Sequence, residues 1–247
     1  MYKNNSYKFN NNNYNFYKIL DEYYKNKYNK FESLENIHKL LKTDEICKKD
    51  KMFYYNPVPI FGLTDRNSVF IKDFYKLVDT DYSFLVEYLS FIKENIKPLF
   101  NNERLMIQKT PNIRFHLPGC SNIGKRDSDP NKHIIGLHSD SEFNHPESEM
   151  NIVLPITKMY DTNSIFYEPY PNSKIKYEDY ESMNLEKNNF FCGYLNKCNH
   201  YNKINQTKDT RVSLDFRVIP FSKFKNDFNI SATSKKKFIL GDYYMIF

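Results

Sequence analysis

From Asn102 onward the sequence breaks into short runs in which apolar and polar residues alternate, each closed off by proline, glycine or asparagine. Successive side chains of a strand point to opposite faces, so this texture predicts strands that bury one face and wet the other. Runs of this kind occupy positions 104–109, 113–117, 134–138, 150–156, 164–168, 189–194, 211–219 and 243–247. Strands this short, divided by turns, suit a double-stranded β-helix, the cupin-like jelly roll in which two sheets face one another. The expected fold class is mainly β with flanking α.

Upstream, the period lengthens to three and four residues. Between Phe16 and Lys42 the residues Ile19, Leu20, Tyr23, Tyr24, Tyr28, Phe31, Leu34, Ile37 and Leu41 recur at helical steps, which predicts a helix broken once. His38 rides on it as a surface or half-packed residue. Asn56-Pro-Val-Pro59 enforces an extended stretch, because proline pushes the residue before it out of the helical region. A second helix is expected over 82–100, with Leu85, Tyr88, Leu89, Ile92, Ile96 and Leu99 on one face and Asp79, Thr80 and Asp81 as N-cap candidates. Residues 1–15, with asparagine at every position from Asn10 to Asn13, carry too little apolar surface to offset ordering and read as a disordered tail. The remainder, 16–247, reads as one domain: a helical part over 16–100, packed on a jelly-roll core over about 102–247.

The formal net charge of +6 is modest for this length, and the densest basic run, Lys235-Lys-Lys237, reads as a solvated turn. Without a concentrated basic stripe or a recognisable module, no nucleic-acid partner is expected. No apolar leader or membrane-length run is visible, so no membrane association is expected and the chain reads as cytoplasmic. Cys47, Cys120, Cys192 and Cys198 have no paired spacing and read as reduced thiols. Nothing in the sequence sets an oligomeric state.

Within the β region, Ile134-Ile-Gly-Leu-His-Ser-Asp140 puts His138 and Asp140 on one side of a strand end. His200 follows 62 residues later. Two imidazoles and one carboxylate, with positions left open, form the ligand set of a non-haem Fe(II) oxygenase. Eleven residues beyond His200, Arg211, Ser213, Asp215 and Arg217 face one way along a strand while Val212, Leu214, Phe216 and Val218 face the other. That pattern reads as a strand with one wet face, or as an anion clamp. In the second case the Arg211 guanidinium grips a carboxylate through two charge-assisted hydrogen bonds and the Ser213 hydroxyl adds a third. The loop from Gly119 to Lys132, beside the first two ligands, has the length of a functional lid or a disordered segment.

Taken together, His138-Ser-Asp140, Asn144-His-Pro146, Glu149-Met-Asn151, Asn151-Ile-Val-Leu-Pro-Ile-Thr157, Thr162-Asn-Ser164, and His200 followed by Thr210-Arg-Val-Ser-Leu-Asp-Phe-Arg-Val-Ile-Pro220 resemble the Fe(II)/2-oxoglutarate-dependent dioxygenases. The resemblance is to the StrG-like branch, associated with streptomycin-type antibiotic biosynthesis, and it runs from about Gln108 to Pro220. It implies His138, Asp140 and His200 as catalytic iron ligands and Arg211 with Ser213 as the site for the distal carboxylate of 2-oxoglutarate. It also implies O2 as oxidant, succinate and carbon dioxide as co-products, and hydroxylation of a small polar metabolite such as a sugar, aminoglycoside-like or amino acid derivative. Alternatives are a protein or peptide side-chain hydroxylase of the same superfamily and a metal-binding jelly roll without turnover.

Other polar residues have two readings each. Asn151 serves the co-substrate or strand pairing. Gln108 lies on the strands before the loop, with Arg114 and His116 sharing a face, where they contact co-substrate or substrate; Arg114 is equally explained by a buried ion pair with Asp215 or Glu168. Glu149 and Glu168 are further substrate-side candidates. His145 reads as a loop residue near the site entrance, and His133 as solvent-facing. A zinc site from Cys192, Cys198 and His200 fits the short-spaced zinc patterns poorly.

Overall fold

The structure, a computed structural model, describes residues 4–42, 69–119, 134–231 and 234–247. Cys47, the 56–59 stretch, Cys120, His133 and the loop beyond Gly119 lie outside the described residues. Three α-helices are described: α1 (Phe16–Lys27), α2 (Val69–Thr80) and α3 (Tyr82–Phe91). No helix among the described residues is long and apolar enough to cross a membrane.

Helix α1 buries Phe16, Leu20 and Tyr24, one residue per turn, and ends at Tyr28, after which a 3-10 turn spans Ile37–Lys42. The expected break is therefore real. Helix α2 lies within the expected helical part, and Phe70, Ile71, Phe74 and Leu77 give it a buried helical face. Asp81 caps α3 by accepting a hydrogen bond from the Ser83 backbone N–H at 2.8 Å. The path continues through a π turn (Ile92–Ile96) into a 3-10 turn (Lys97–Phe100), which contains Pro98, a residue with no N–H to give. Along α3 the buried face is Phe84, Tyr88 and Phe91, and the change of pitch carries it on to Ile92, Ile96 and Phe100, leaving Leu85, Leu89 and Leu99 half-buried.

The strands are β1 (Asn5–Lys8), β2 (Leu105–Gln108), β3 (Asn112–His116), β4 (Ile134–His138), β5 (Met150–Pro155), β6 (Ile165–Tyr167), β7 (Glu181–Ser182), β8 (Asn189–Gly193), β9 (His200–Lys203), β10 (Arg211–Pro220), β11 (Asp227–Ile230), β12 (Lys237–Phe238) and β13 (Tyr244–Ile246). All pair antiparallel. The large sheet runs β1-β8-β5-β10-β2-β13, with β3 pairing the first half of β10 while β2 pairs its end. A smaller sheet runs β4-β9-β6-β7, and β11 pairs β12. Among the described residues neither of the two larger sheets closes on itself, and the fold is mainly β, built on open antiparallel sheets.

Strand β10 divides the chemistry of the large sheet. Val212, Leu214, Phe216 and Val218 join Ile113, Phe115, Ile152 and Leu154 in the apolar cluster that the helices cover. On the opposite face, register places Arg211 beside His116, Ser213 beside Arg114, and Arg217 beside Asn151. The polar face of β10 is thus not a solvated surface: Arg211, Ser213 and Arg217 are all buried.

Residues 4–15 correct the expectation of a disordered tail. Strand β1 pairs with β8, Phe9 and Tyr14 are buried, and the Phe9 N–H donates to Asn188 O at 2.9 Å. Asparagine here is a backbone partner rather than a solvating residue: Asn4 accepts from the Tyr194 N–H at 2.7 Å and donates to Pro169 O at 3.1 Å.

Candidate metal centre

Strand β4 ends on His138, and its partner β9 begins on His200 directly opposite, so strand pairing alone brings the two rings to 4.4 Å between centroids. Ser139 then leaves the sheet and caps the 3-10 turn Asp140–Phe143, whose Glu142 carboxylate accepts from the Ser139 N–H at 3.0 Å. The Asp140 and Ser141 N–H groups donate to Leu195 O (3.2 Å) and Asn196 O (3.0 Å), tying this turn to the segment just before β9. Asp140 is held by backbone on both sides.

Its carboxylate has two different ends. Oδ1 faces Nε2 of His138 and Nε2 of His200, each at 3.7 Å. Oδ2 accepts from Arg217 Nη2 at 2.5 Å and from Asn151 Nδ2 at 2.7 Å. Arg217 reaches through Nη1 to Asp215 Oδ1 at 2.5 Å, and Asp215 Oδ2 meets Arg114 at 3.3 Å, so two arginines and two aspartates alternate. Asn151 also accepts from the Asn196 N–H at 3.0 Å, so one side chain fixes both the carboxylate and the segment beside it.

His138, Asp140 and His200 are the cluster of potential metal ligands among the described residues, with donor atoms within 4.8 Å of one another. Bonds of roughly 2.1 Å to one ion would set neighbouring donors about 3 Å apart, so a small contraction of this cluster accommodates it. His200 Nδ1 lies 3.1 Å from Cys198 O, and a proton there leaves Nε2 as the ligating atom. Burial, then the neighbouring His138, pulls His200 down to about 4, so its ring is neutral and ready to ligate at neutral pH. Burial alone would raise the Asp140 carboxyl, but the Arg217 guanidinium, ahead of the neighbouring imidazoles, holds it well below the usual carboxylate range. The donors fit a divalent transition metal on all these counts.

The zinc alternative fails. Cys192 packs in the helix-side cluster and Cys198 accepts from Asn4 Nδ2 at 3.5 Å. The ligand cluster among the described residues contains neither cysteine, and burial raises their thiols to about 12 and about 11.

Other candidates fall into place around the centre. Arg211 is 1% exposed and donates through Nη1 to Asn163 O (2.8 Å) and Asn202 Oδ1 (3.2 Å). His116, buried opposite it, has Nδ1 3.3 Å from the same Asn163 oxygen. Ser213 is buried between Arg114 and Pro155. Arg114 makes the ion pair with Asp215 rather than with Glu168. Glu168 accepts from the Asn199 N–H at 3.0 Å, which anchors the residue before His200. Glu149 is fully buried between Tyr244 and His145, whose Nδ1 lies 2.7 Å away, so His145 is a loop residue whose ring is packed inward on Glu149. Gln108, at the end of β2 where the chain turns towards β3, donates to Thr110 O at 2.7 Å. Half-buried His38 sits 2.9 Å from Thr210 Oγ1. Sequence reasoning missed the place of Arg217, yet its signal was present: it shares parity with Arg211 and Ser213.

No protein-family model matches the chain. It is 27% identical over 184 residues to the streptomycin biosynthesis protein StrG of Streptomyces griseus, a match covering 73% of this chain and 77% of that one. Among solved structures it is similar to a non-heme monooxygenase, ThoJ, in its nickel complex (TM-score 0.38, 13% identity, 48% of this chain and 46% of that one). The apo form of ThoJ gives a TM-score of 0.40 at 12% identity, over 58% of this chain and 59% of that one. In both cases the chain spans less than two thirds of the solved chain.

Proposed function

We propose that this chain is an Fe(II)- and 2-oxoglutarate-dependent dioxygenase that hydroxylates a small polar metabolite. Asp140 carries the reading: one oxygen faces both imidazoles at 3.7 Å while Arg217 and Asn151 lock the other. An ionised, one-ended carboxylate beside two histidines is the donor set that leaves an octahedral ion three open positions. Iron there would supply dioxygen activation, with one oxygen atom going to succinate and the other to the hydroxylated product, and carbon dioxide released.

The protein's part is orientation. Asn202, which Arg211 touches, stands two residues beyond His200 on β9, on the same face and roughly 6.6 Å along the strand. That separation suits a five-carbon diacid whose keto end is at the metal and whose distal carboxylate meets Arg211 and Ser213. Asn163 O, shared by Arg211 and His116, fixes the guanidinium. On this reading the two sheets are the walls of a double-stranded β-helix. The relative named for streptomycin biosynthesis supports a small-molecule substrate.

The test is an anaerobic titration of metal-free protein with Fe(II) and 2-oxoglutarate, following the visible charge-transfer absorption of the chelated keto acid. A saturable band is expected, absent in His138→Ala. Arg211→Ala should keep iron and weaken 2-oxoglutarate roughly ten- to hundred-fold, since hydrogen bonds to a charged group contribute about 1.5–3 kcal/mol. Folded, iron-loaded protein with no band would remove 2-oxoglutarate from the reaction.

A further inference from the structure

A cavity of about 400 Å³ lies where the turn between β2 and β3 meets α2. This is the size of a small-molecule site. Its charged lining among the described residues is Lys72 and Asp79 from α2, Arg114 from β3, and Lys236. Arg114 shares its charge with Asp215, so the two lysines set the sign against the single Asp79.

Gln108 adds an independent observation. Its side chain is 3% exposed and lines the cavity, and the bond from Nε2 to Thr110 O fixes which way the amide points. Oε1 is left buried without a hydrogen-bond partner. A buried acceptor of this kind asks for a donor from a bound molecule.

We propose that this cavity anchors the substrate, and that the substrate is an anionic small molecule, phosphorylated or carboxylated, which also carries a hydroxyl or amine donor. The lysines take the anion and Gln108 Oε1 accepts from the hydroxyl or amine. The ion-pair series Arg114, Asp215, Arg217, Asp140 joins the cavity rim to the metal ligand. That the occupant is a substrate rests on the dioxygenase reading; the binding chemistry does not.

Ligand-observed NMR on metal-free protein with glucose 6-phosphate, gluconate and glucose tests it. The two anions should bind about ten-fold tighter than glucose, and whichever binds tighter identifies the anionic group. Lys72→Ala/Lys236→Ala should reduce both to the level of glucose, while Gln108→Leu should weaken all three. Equal binding of the three probes, or anion binding indifferent to the lysines, overturns the proposal. Displacement of the probes by equimolar 2-oxoglutarate would overturn it too, by giving the cavity to the co-substrate. Neither iron nor turnover enters these readouts, so their failure and that of the charge-transfer titration are separable.

Discussion

A carboxylate free to rotate can chelate an ion, bridge or turn away, and Asp140 has been denied those choices by Arg217 and Asn151. Partners that orient a ligand this way typically change metal affinity 10–100-fold when removed, so we expect Asn151→Ala to weaken Fe(II) by roughly that factor. Competition against a metallochromic indicator measures it; unchanged affinity would mean Arg217 suffices alone. His145 gives the contrast. Its partner Glu149 is fully buried, and leaving that acceptor short of a donor costs about 1–3 kcal/mol. His145→Ala should therefore lower unfolding free energy by about that amount in urea and leave Fe(II) affinity nearly intact, whereas Asp140→Ala should abolish Fe(II) binding. Loss of metal in both variants would return His145 to the ligand set.

At the level of elements, α3 owes its start to Asp81. The Ser83 N–H holds this exposed carboxyl below its ordinary value. A depressed folded-state value means the cap's contribution is complete above the ordinary carboxylate pKa and is lost as pH falls through the lower folded value. Asp81→Ala should cost about 1 kcal/mol at neutral pH. The gap between wild type and variant in urea melts should narrow as the pH is lowered, and a gap that persists in acid would rule out the ionised cap. Elements such as α3 are legible because cap and stripe are local. Strand β9 is not: His200-Tyr-Asn-Lys203 is only four residues long, and its one apolar anchor, Tyr201, which packs against Phe166, stands among polar residues, so too little pattern marks it as a strand. The ligand was therefore readable from its residue type and the strand that carries it was not. For the same reason Arg211 and Arg217 could be assigned to one face, but which of them meets Asp140 depends on where β4 ends, a contact between distant segments.

At the scale of the whole molecule, the amino-terminal segment decides how the large sheet ends. Without β1, β8 would present an unpaired edge beside the aromatic cluster of Phe91 and Phe190. Phe9 is the pin: its ring packs at 5.7 Å from Tyr14, 5.2 Å from Phe91 and 6.2 Å from Phe190. The asparagine-rich composition around it reads as disorder because composition counts polar side chains but not the backbone partners they find, as Asn4 does at Tyr194. Truncating a buried phenylalanine typically costs about 3–5 kcal/mol. Phe9→Ala should therefore shift the urea midpoint strongly, whereas Asn12→Ala, on an exposed turn only three residues away, should fall within roughly 0.5 kcal/mol of wild type. Equal, negligible effects would mean that the segment through Phe9 is a loose tail after all, and that β8 is the true edge of the sheet.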